Sequence, residues 1–205
     1  MRDSNTEWER WGEIDPLYGV AAAKGRERGG KNPWSDAEFY ERGQQHWQRF
    51  HPAWRRYGID CRNCLEIGCG AGRITAQLAG VFAMVEAVDV SKGMIDYAVA
   101  HVTAPNVRFH LTDGTALPLE SASITAVFST HVFQHFDSID QATLTFREIA
   151  RVLAPGGSIM IHLPMYRWPV FHRAPMNSST VYTRTWAPSA HGYCVLSSRA
   201  EWCVR

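Results

Sequence analysis

The segment Leu65-Glu66-Ile67-Gly68-Cys69-Gly70-Ala71-Gly72-Arg73 holds the residues best suited to binding a ligand. An apolar run ends in three alternate glycines, and helix-forming residues follow. Glycine at such a turn accepts positive φ and lets a ligand approach the backbone. The N-terminus of the next helix offers unpaired N–H groups to an anion. A dinucleotide-binding turn has the form G-x-G-x-x-G, and its third glycine would fall where Arg73 stands. Glycines at 68, 70 and 72 therefore disfavour a dinucleotide and an oxidoreductase. Acidic residues accompany the turn. Glu66 lies two residues before Gly68. Asp89 follows about twenty residues on, where a carboxylate accepts hydrogen bonds from both hydroxyls of a ribose. Asp113 precedes Gly114, so its carboxylate would either receive an adenine amino group or initiate the turn. Carboxylates gathered in this way suit a cationic ligand.

The elements that would position these residues are legible from periodicity. Cys64 to Ile67 reads as a strand, and Arg73 to Leu78 begins a helix. Met84 to Val90 reads as a second strand. Ser91 caps a helix carrying Met94, Ile95, Ala98 and Val102. Val107, Phe109 and Leu111 alternate as a third strand, and Ile124 to Ser129 form a fourth. Ile139, Ala142, Phe146, Ile149 and Leu153 make a helical stripe, ended by Pro155-Gly156-Gly157. Ser158 to Leu163 form a fifth strand. This alternation predicts an α/β fold: a doubly wound, mostly parallel sheet with helices on both faces. Glu66, Asp89 and Asp113 then fall at or near the carboxyl ends of parallel strands, where open α/β sheets bind ligands.

The flanks read differently. Trp8, Trp11, Trp34, Trp47 and Trp54 crowd the first 60 residues. Asp15-Pro16 and Gly25 to Gly30 read as turn or loop. Ser35-Asp36-Ala37-Glu38 is a capping box, and Phe39, Gly43, Trp47, Phe50 and Trp54 recur at helical spacing, so a helix is expected over Asp36–Arg56. After Leu163 come Pro164, Pro169, Pro175 and Pro188 and no amphipathic helix. Val181–Trp186 and Tyr193–Ser197 are candidate strands, an incomplete or irregular C-terminal pair. The expected division is a helical leader or lid over 1–60, an α/β core over 61–163 and an irregular tail over 164–205 in the same domain.

Composition narrows the classes. In 205 residues, 21 Lys and Arg balance 20 Asp and Glu to a net charge of +1, which supplies no basic excess for a nucleic-acid binder. No apolar run reaches the ~18 residues of a membrane span, and Met1 to Arg10 has no signal-peptide character. Five scattered cysteines read as reduced thiols in a cytoplasmic protein. The lone C-x-x-C of Cys61 and Cys64 lacks the second pair that a zinc site would need, so no metal is expected.

Four blocks in order resemble the class I S-adenosylmethionine-dependent methyltransferases, of the bacterial small-molecule type. They are LEIGCGAGR from Leu65, AVDVSKGMIDYA from Ala87, DGTALPL from Asp113 and FREIARVLAPGGSIMI from Phe146. The resemblance covers about Cys64 to Leu163, and WERWGEIDPLYGV from Trp8 is a looser match to a leader found in a bacterial subset. It implies S-adenosylmethionine as cofactor, with Gly68 and Gly70 against its methionine half and Glu66 organising that end. Asp89 would take the ribose, and Val90 and Met94 would flank the adenine. Asp113, Gly114, Thr115 and Ala116 would meet the adenine edge. Thr130 would border the methionine amino group through its backbone. Arg73 is expected at the helix surface or as a charge partner, away from the cofactor.

His131 and His135 follow the fourth strand, where the methyl group would be delivered. An imidazole with a pKa of about 6.5 can take a proton from a nucleophilic hydroxyl or amine. His135 better matches a histidine of this segment in the family and is the candidate base; the competing reading is a substrate wall without proton transfer. His162, inside the fifth strand, reads as structural. The leader either packs over the sheet or forms an aromatic lid, with Tyr18, Phe39 or Trp47 near the site. The expected activity is methyl transfer to oxygen or nitrogen of a small molecule, without membrane or nucleic acid, and with a homodimer left open. The alternative is a methyltransferase-like protein that binds cofactor or a partner without catalysis.

Overall fold

The computed structural model describes residues 4–163 and the backbone of residues 194–197. Five strands run parallel: β1 (Asn63–Ile67), β2 (Met84–Asp89), β3 (Val107–Leu111), β4 (Ile124–Ser129) and β5 (Leu153–Ile161). A sixth, β6 (Cys194–Ser197), lies antiparallel to β5. The order is β3-β2-β1-β4-β5-β6. The chain winds outward from β1 in one direction and from β4 in the other, which opens a crevice at the carboxyl ends of these two neighbours. The expected doubly wound, mostly parallel sheet is the fold observed.

Six helices accompany the sheet among the described residues: α1 (Ser4–Ile14), α2 (Pro16–Val20), α3 (Asp36–Arg56), α4 (Thr75–Leu78), α5 (Lys92–His101) and α6 (Ile139–Val152). Strand side chains alternate between two cores, as the two-residue period requires. Cys64, Val85, Ala126, Phe128 and Met160 pack with Trp47, Phe50 and Trp54 of α3 and Leu78 of α4. Leu65, Ile67, Val88, Val127, Ile159 and Ile161 pack on the other face with Ile149 and Val152 of α6. The aromatic stripe of α3 is therefore a core stripe. Trp54 is fully buried, and its indole N–H donates to the Ser158 hydroxyl on β5 at 3.0 Å. Its ring lies 5.7 Å from Phe82 and 5.9 Å from Phe128.

Helix starts follow their capping residues. At α3 the Ser35 hydroxyl accepts from the Glu38 N–H at 3.4 Å, and the Glu38 carboxylate accepts from the Ser35 N–H at 3.3 Å. Ser91 caps α5 through the Met94 N–H at 3.3 Å.

Three expectations are corrected. Asp15-Pro16 is a helix start: the Asp15 side chain accepts from the Tyr18 N–H, and Pro16 sits in the first turn, where its missing donor costs nothing. The helix expected from Arg73 begins only at Thr75, because residues 70–74 turn tightly after the glycines. Leu153 belongs to β5 and pairs with Ile124; the ladder then shifts register before Ser158, so the Pro-Gly-Gly run forms an irregularity inside the strand rather than a gap before it. Of the candidate C-terminal pair, β6 falls within Tyr193–Ser197, and Val181–Trp186 lies outside the described residues. Among the described residues no helix is long and apolar enough to cross a membrane.

Removing the Trp54 ring leaves a cavity between sheet and helix and an unpaired Ser158 hydroxyl. Trp54→Ala is expected to cost about 3–5 kcal/mol of unfolding free energy in urea titrations. Leu111→Ala, at a site 53% exposed, should stay within about 0.5 kcal/mol of the parent.

Candidate functional site

The crevice at the ends of β1, β2 and β4 holds a cavity of about 580 Å³. Its floor is the glycine turn. The N–H groups of Gly68 and Cys69 both donate to the Val88 carbonyl, at 2.8 and 3.0 Å, folding the turn back onto β2. Gly68 and Gly70 have φ of +70° and +52°. A methyl group on Gly68 would lie 2.2 Å from Val132 Cγ2, and one on Gly70 would lie 2.6 Å from Val20 Cγ2. Glycine is thus required at both positions by conformation and by close neighbours.

Asp89, at the end of β2, is the fastener of this floor. One carboxylate oxygen accepts from the Gly70 N–H at 2.8 Å and the other from the Ser91 N–H at 3.0 Å. The carboxylate retains acceptor capacity beyond these bonds. Burial raises its pKa, and the backbone donors Ser91, Gly70 and Val90 oppose that rise. Glu66 is 3% exposed and accepts from the Thr75 hydroxyl at 2.6 Å. Burial pushes its carboxyl up to about 8, against the pull of the Thr75 hydrogen bond, with nearby Asp89 adding to the rise. With its carboxyl raised in this way, Glu66 favours the protonated form at neutral pH.

The cavity is lined by Glu66, Gly68, Gly70, Asp89, Val90, Met94, Gly114, Thr115, Ala116, Thr130 and His135, all singled out in the sequence. The Thr130 hydroxyl is buried there without a hydrogen bond among the described residues. Asp113 is the exception. It is absent from the lining, and its carboxylate accepts from the N–H and hydroxyl of Thr115 at 2.8 and 2.7 Å. The turn-forming role of Asp113 is the one its geometry displays. Two buried carboxylates and a buried Thr130 hydroxyl without a partner among the described residues suit a ligand with a cationic end and vicinal hydroxyls.

The leader contributes more than expected, through other residues. Trp8 of α1 lines the cavity, its ring 4.8 Å from that of His135 in an edge-to-face contact. Two hydrogen bonds pin α1 across the site: Asn5 Nδ2 to the Asp113 carbonyl at 2.9 Å, and the Lys92 N–H to the Glu9 carboxylate at 2.7 Å. Phe39 and Trp47 are core residues, and Tyr18 packs on Trp11 outside the lining. Arg73 departs from the surface position expected for it. It is 5% exposed, lines the cavity, and its Nε is buried without a hydrogen bond among the described residues. Arg42, His46 and Arg49 of α3 also line the cavity. Their spacing of four and three was visible in the sequence, but the apolar stripe beside them defined the helix.

His135 sits in a short 3-10 turn, Phe133–His135, just after β4. The Gln134 amide nitrogen lies 3.0 Å from its Nε2. His131 takes φ of +61°, uncommon for a side-chain-bearing residue, and its ring is 4.5 Å from that of buried His162.

Comparison with known proteins agrees with this geometry. A family described as "Methyltransferase domain" matches residues 65–161. A malonyl-[acyl-carrier protein] O-methyltransferase of Hahella chejuensis is 36% identical over 101 residues, covering 48% of this chain and 35% of the relative. An O-methyltransferase of Penicillium expansum is 33% identical over 102 residues, covering 47% of this chain and 36% of the relative. The chain thus spans about a third of the length of these curated relatives. The solved structure of Haemonchus contortus phosphoethanolamine N-methyltransferase 1, in complex with phosphoethanolamine and S-adenosylhomocysteine, superposes with a TM-score of 0.62. At 16% identity, over 80% of this chain and 32% of that one, it is a likeness of fold.

The raised Glu66 pKa sets a sign for stability. Its folded value of about 8 lies above the ordinary 4.5, so the native state binds the extra proton between these values. That stabilisation is complete below the unfolded pKa and is lost as pH rises through the folded one. Glu66→Gln, which stays neutral, should therefore gain in melting temperature relative to the parent between pH 5 and pH 9. A difference between the two proteins that stayed constant over that range would show Glu66 to be ionised in the folded chain.

Proposed function

We propose, from the membership of residues 65–161 in the class I S-adenosylmethionine-dependent methyltransferase family, that this chain moves a methyl group from S-adenosylmethionine to oxygen or nitrogen of a small molecule. The observation that carries the reading is the pair of buried carboxylates, Asp89 and Glu66, beside a positive-φ glycine turn in one cavity. The cavity volume of about 580 Å³ is within the range of small-molecule sites.

Each wall has a role in this reading. Asp89 is already oriented by two backbone donors, so its remaining lone pairs face ribose hydroxyls without further ordering cost. Val90 and Met94 supply apolar surface for the adenine, with Gly114, Thr115 and Ala116 at its edge. Glu66, Gly68, Gly70 and Thr130 hold the methionine end, where a proton leaving Glu66 balances the arriving ammonium. S-Adenosylmethionine supplies a methyl group on a sulfonium, a good leaving group, so the protein's contribution is mainly orientation and exclusion of water. Within the leader, α1 acts as the lid, with Trp8 excluding water beside His135, while α3 packs on the sheet. When the Gln134 amide donates to His135 Nε2 it occupies that nitrogen's lone pair, so the amide must yield to the acceptor before Nε2 can take its proton.

Titration calorimetry with S-adenosylmethionine and S-adenosylhomocysteine tests the cofactor. Binding of both is expected, and absence of either at millimolar concentration would sink the reading. Asp89→Ala should weaken S-adenosylhomocysteine by about 10–150-fold, the loss of roughly 1.5–3 kcal/mol for hydrogen bonds to a charged group.

An acceptor screen following release of S-adenosylhomocysteine tests catalysis. In it, His135→Gln should lower kcat by about 100-fold or more while cofactor affinity holds. Unchanged kcat would leave His135 as a wall residue. Cofactor binding without turnover across the screen would favour a non-catalytic binding protein.

A further inference from the structure

The cavity carries a second charge pattern that the cofactor reading does not use. Arg42, His46 and Arg49 follow one another at steps of four and three along α3, and all three line the cavity. Arg73 joins them from the turn after β1. Among the described residues the arginine ion pairs are those of Arg26, Arg62, Arg108 and Arg151, and the three cavity arginines are in none of them. Arg73 is 5% exposed and leaves a buried Nε without an acceptor among the described residues. A guanidinium so placed is costly to bury and would be repaired by an oxyanion, which its planar fork receives on two parallel bonds. His46 is held near 4 by burial and by the positive charges of Arg73, Arg42 and Arg49, so the four groups act on one another. At neutral pH His46 is uncharged and still offers a ring N–H donor.

The cavity thus holds both signs of charge, with Asp89 and Glu66 at the strand ends, Arg42 and Arg49 along α3, and Arg73 between them, within electrostatic reach of Glu66. A methionine moiety brings one carboxylate and one ammonium, and three arginines exceed what that carboxylate requires. We propose that Arg42, His46, Arg49 and Arg73 form an oxyanion subsite, and that the methyl acceptor is a small molecule bearing a carboxylate or phosphate group seated there. This rests on the methyltransferase reading above and narrows its acceptor class. The arginines would hold the non-reacting anionic end and leave the reacting atom to face His135 across the cavity.

The probes are glutarate and inorganic pyrophosphate, with glutaramide as the uncharged control, each titrated into the full chain saturated with S-adenosylhomocysteine. At least one anion should bind saturably in the millimolar range and glutaramide should not. The double variant Arg42→Gln/Arg49→Gln, altered at exposed positions, should lose about tenfold or more in anion affinity. Its S-adenosylhomocysteine affinity should stay within about threefold. Equal binding of glutaramide, or no anion binding to the cofactor-loaded chain, overturns the proposal. So does a tenfold loss of S-adenosylhomocysteine affinity in the variant with 5′-methylthioadenosine unaffected, since that ligand lacks the carboxylate and the arginines would then serve the cofactor itself. Failure of the parent chain to bind S-adenosylhomocysteine overturns the underlying reading and this one with it, an outcome separate from intact cofactor binding without anion binding.

Discussion

The Asp89 carboxylate joins two backbone segments by direct hydrogen bonds. It takes the N–H of Gly70 on one oxygen and that of Ser91 on the other, locking the glycine turn after β1 to the start of α5. The arrangement needs β1 and β2 to be parallel neighbours in the register that sets Ile67 opposite Val88. It also needs a buried carboxylate, which is tolerated only where donors are fixed around it. The sheet, the turn and the first turn of α5 therefore depend on the same residue that the ligand would use. Structure and binding share one side chain, and its orientation is set before any ligand arrives.

That economy extends outward. Glu66 projects from the same face of β1 as Cys64, under α4, and among the described residues the Thr75 hydroxyl donates to it. With Asp89 nearby and water excluded, two charged carboxylates would repel, and the proton retained on Glu66 relieves this. The cavity also holds three arginines, Arg42 and Arg49 of α3 and Arg73 of the glycine turn, none of them in an ion pair among the described residues, with Arg73 close enough to Glu66 to favour its charged form. A site with separated charges of both signs orients a ligand along its length as well as binding it.

The leader shows how one aromatic-rich segment is divided between stability and site. In α3 the aromatic rings fill the space between helix and sheet, where Trp54 also finds a hydrogen-bond partner on β5. In α1, Trp8 reaches the cavity because Asn5 and Glu9 anchor that helix to the β3 loop and to the N-terminus of α5. Gly12 and Gly93 permit the approach: a methyl group on Gly93 would sit 2.6 Å from the Gly12 carbonyl carbon. Glycine thus serves helix contact here, as it serves backbone conformation in the turn.

Much of this was legible in the residues alone. Strand and helix alternation, the capping box at Ser35, the glycine turn and its acidic companions depend on local spacing, and local spacing dictates local structure. The helix over Asp36–Arg56 and the strand over Ile124–Ser129 were readable for that reason. What the sequence could not settle was which of two compatible roles a side chain takes. Asp113 had the residue type for a ligand contact and for a turn, and its own loop claimed the carboxylate. Arg73 looked like a surface residue until α3 lay across it. The sequence by itself determined a parallel α/β core with a glycine turn and carboxylates at its strand ends, because these follow from period and residue type. Only the tertiary structure decided that Trp8, Arg42, His46 and Arg49 meet Arg73 and His135 in one cavity, because helices distant in sequence converge there through packing that no local pattern encodes.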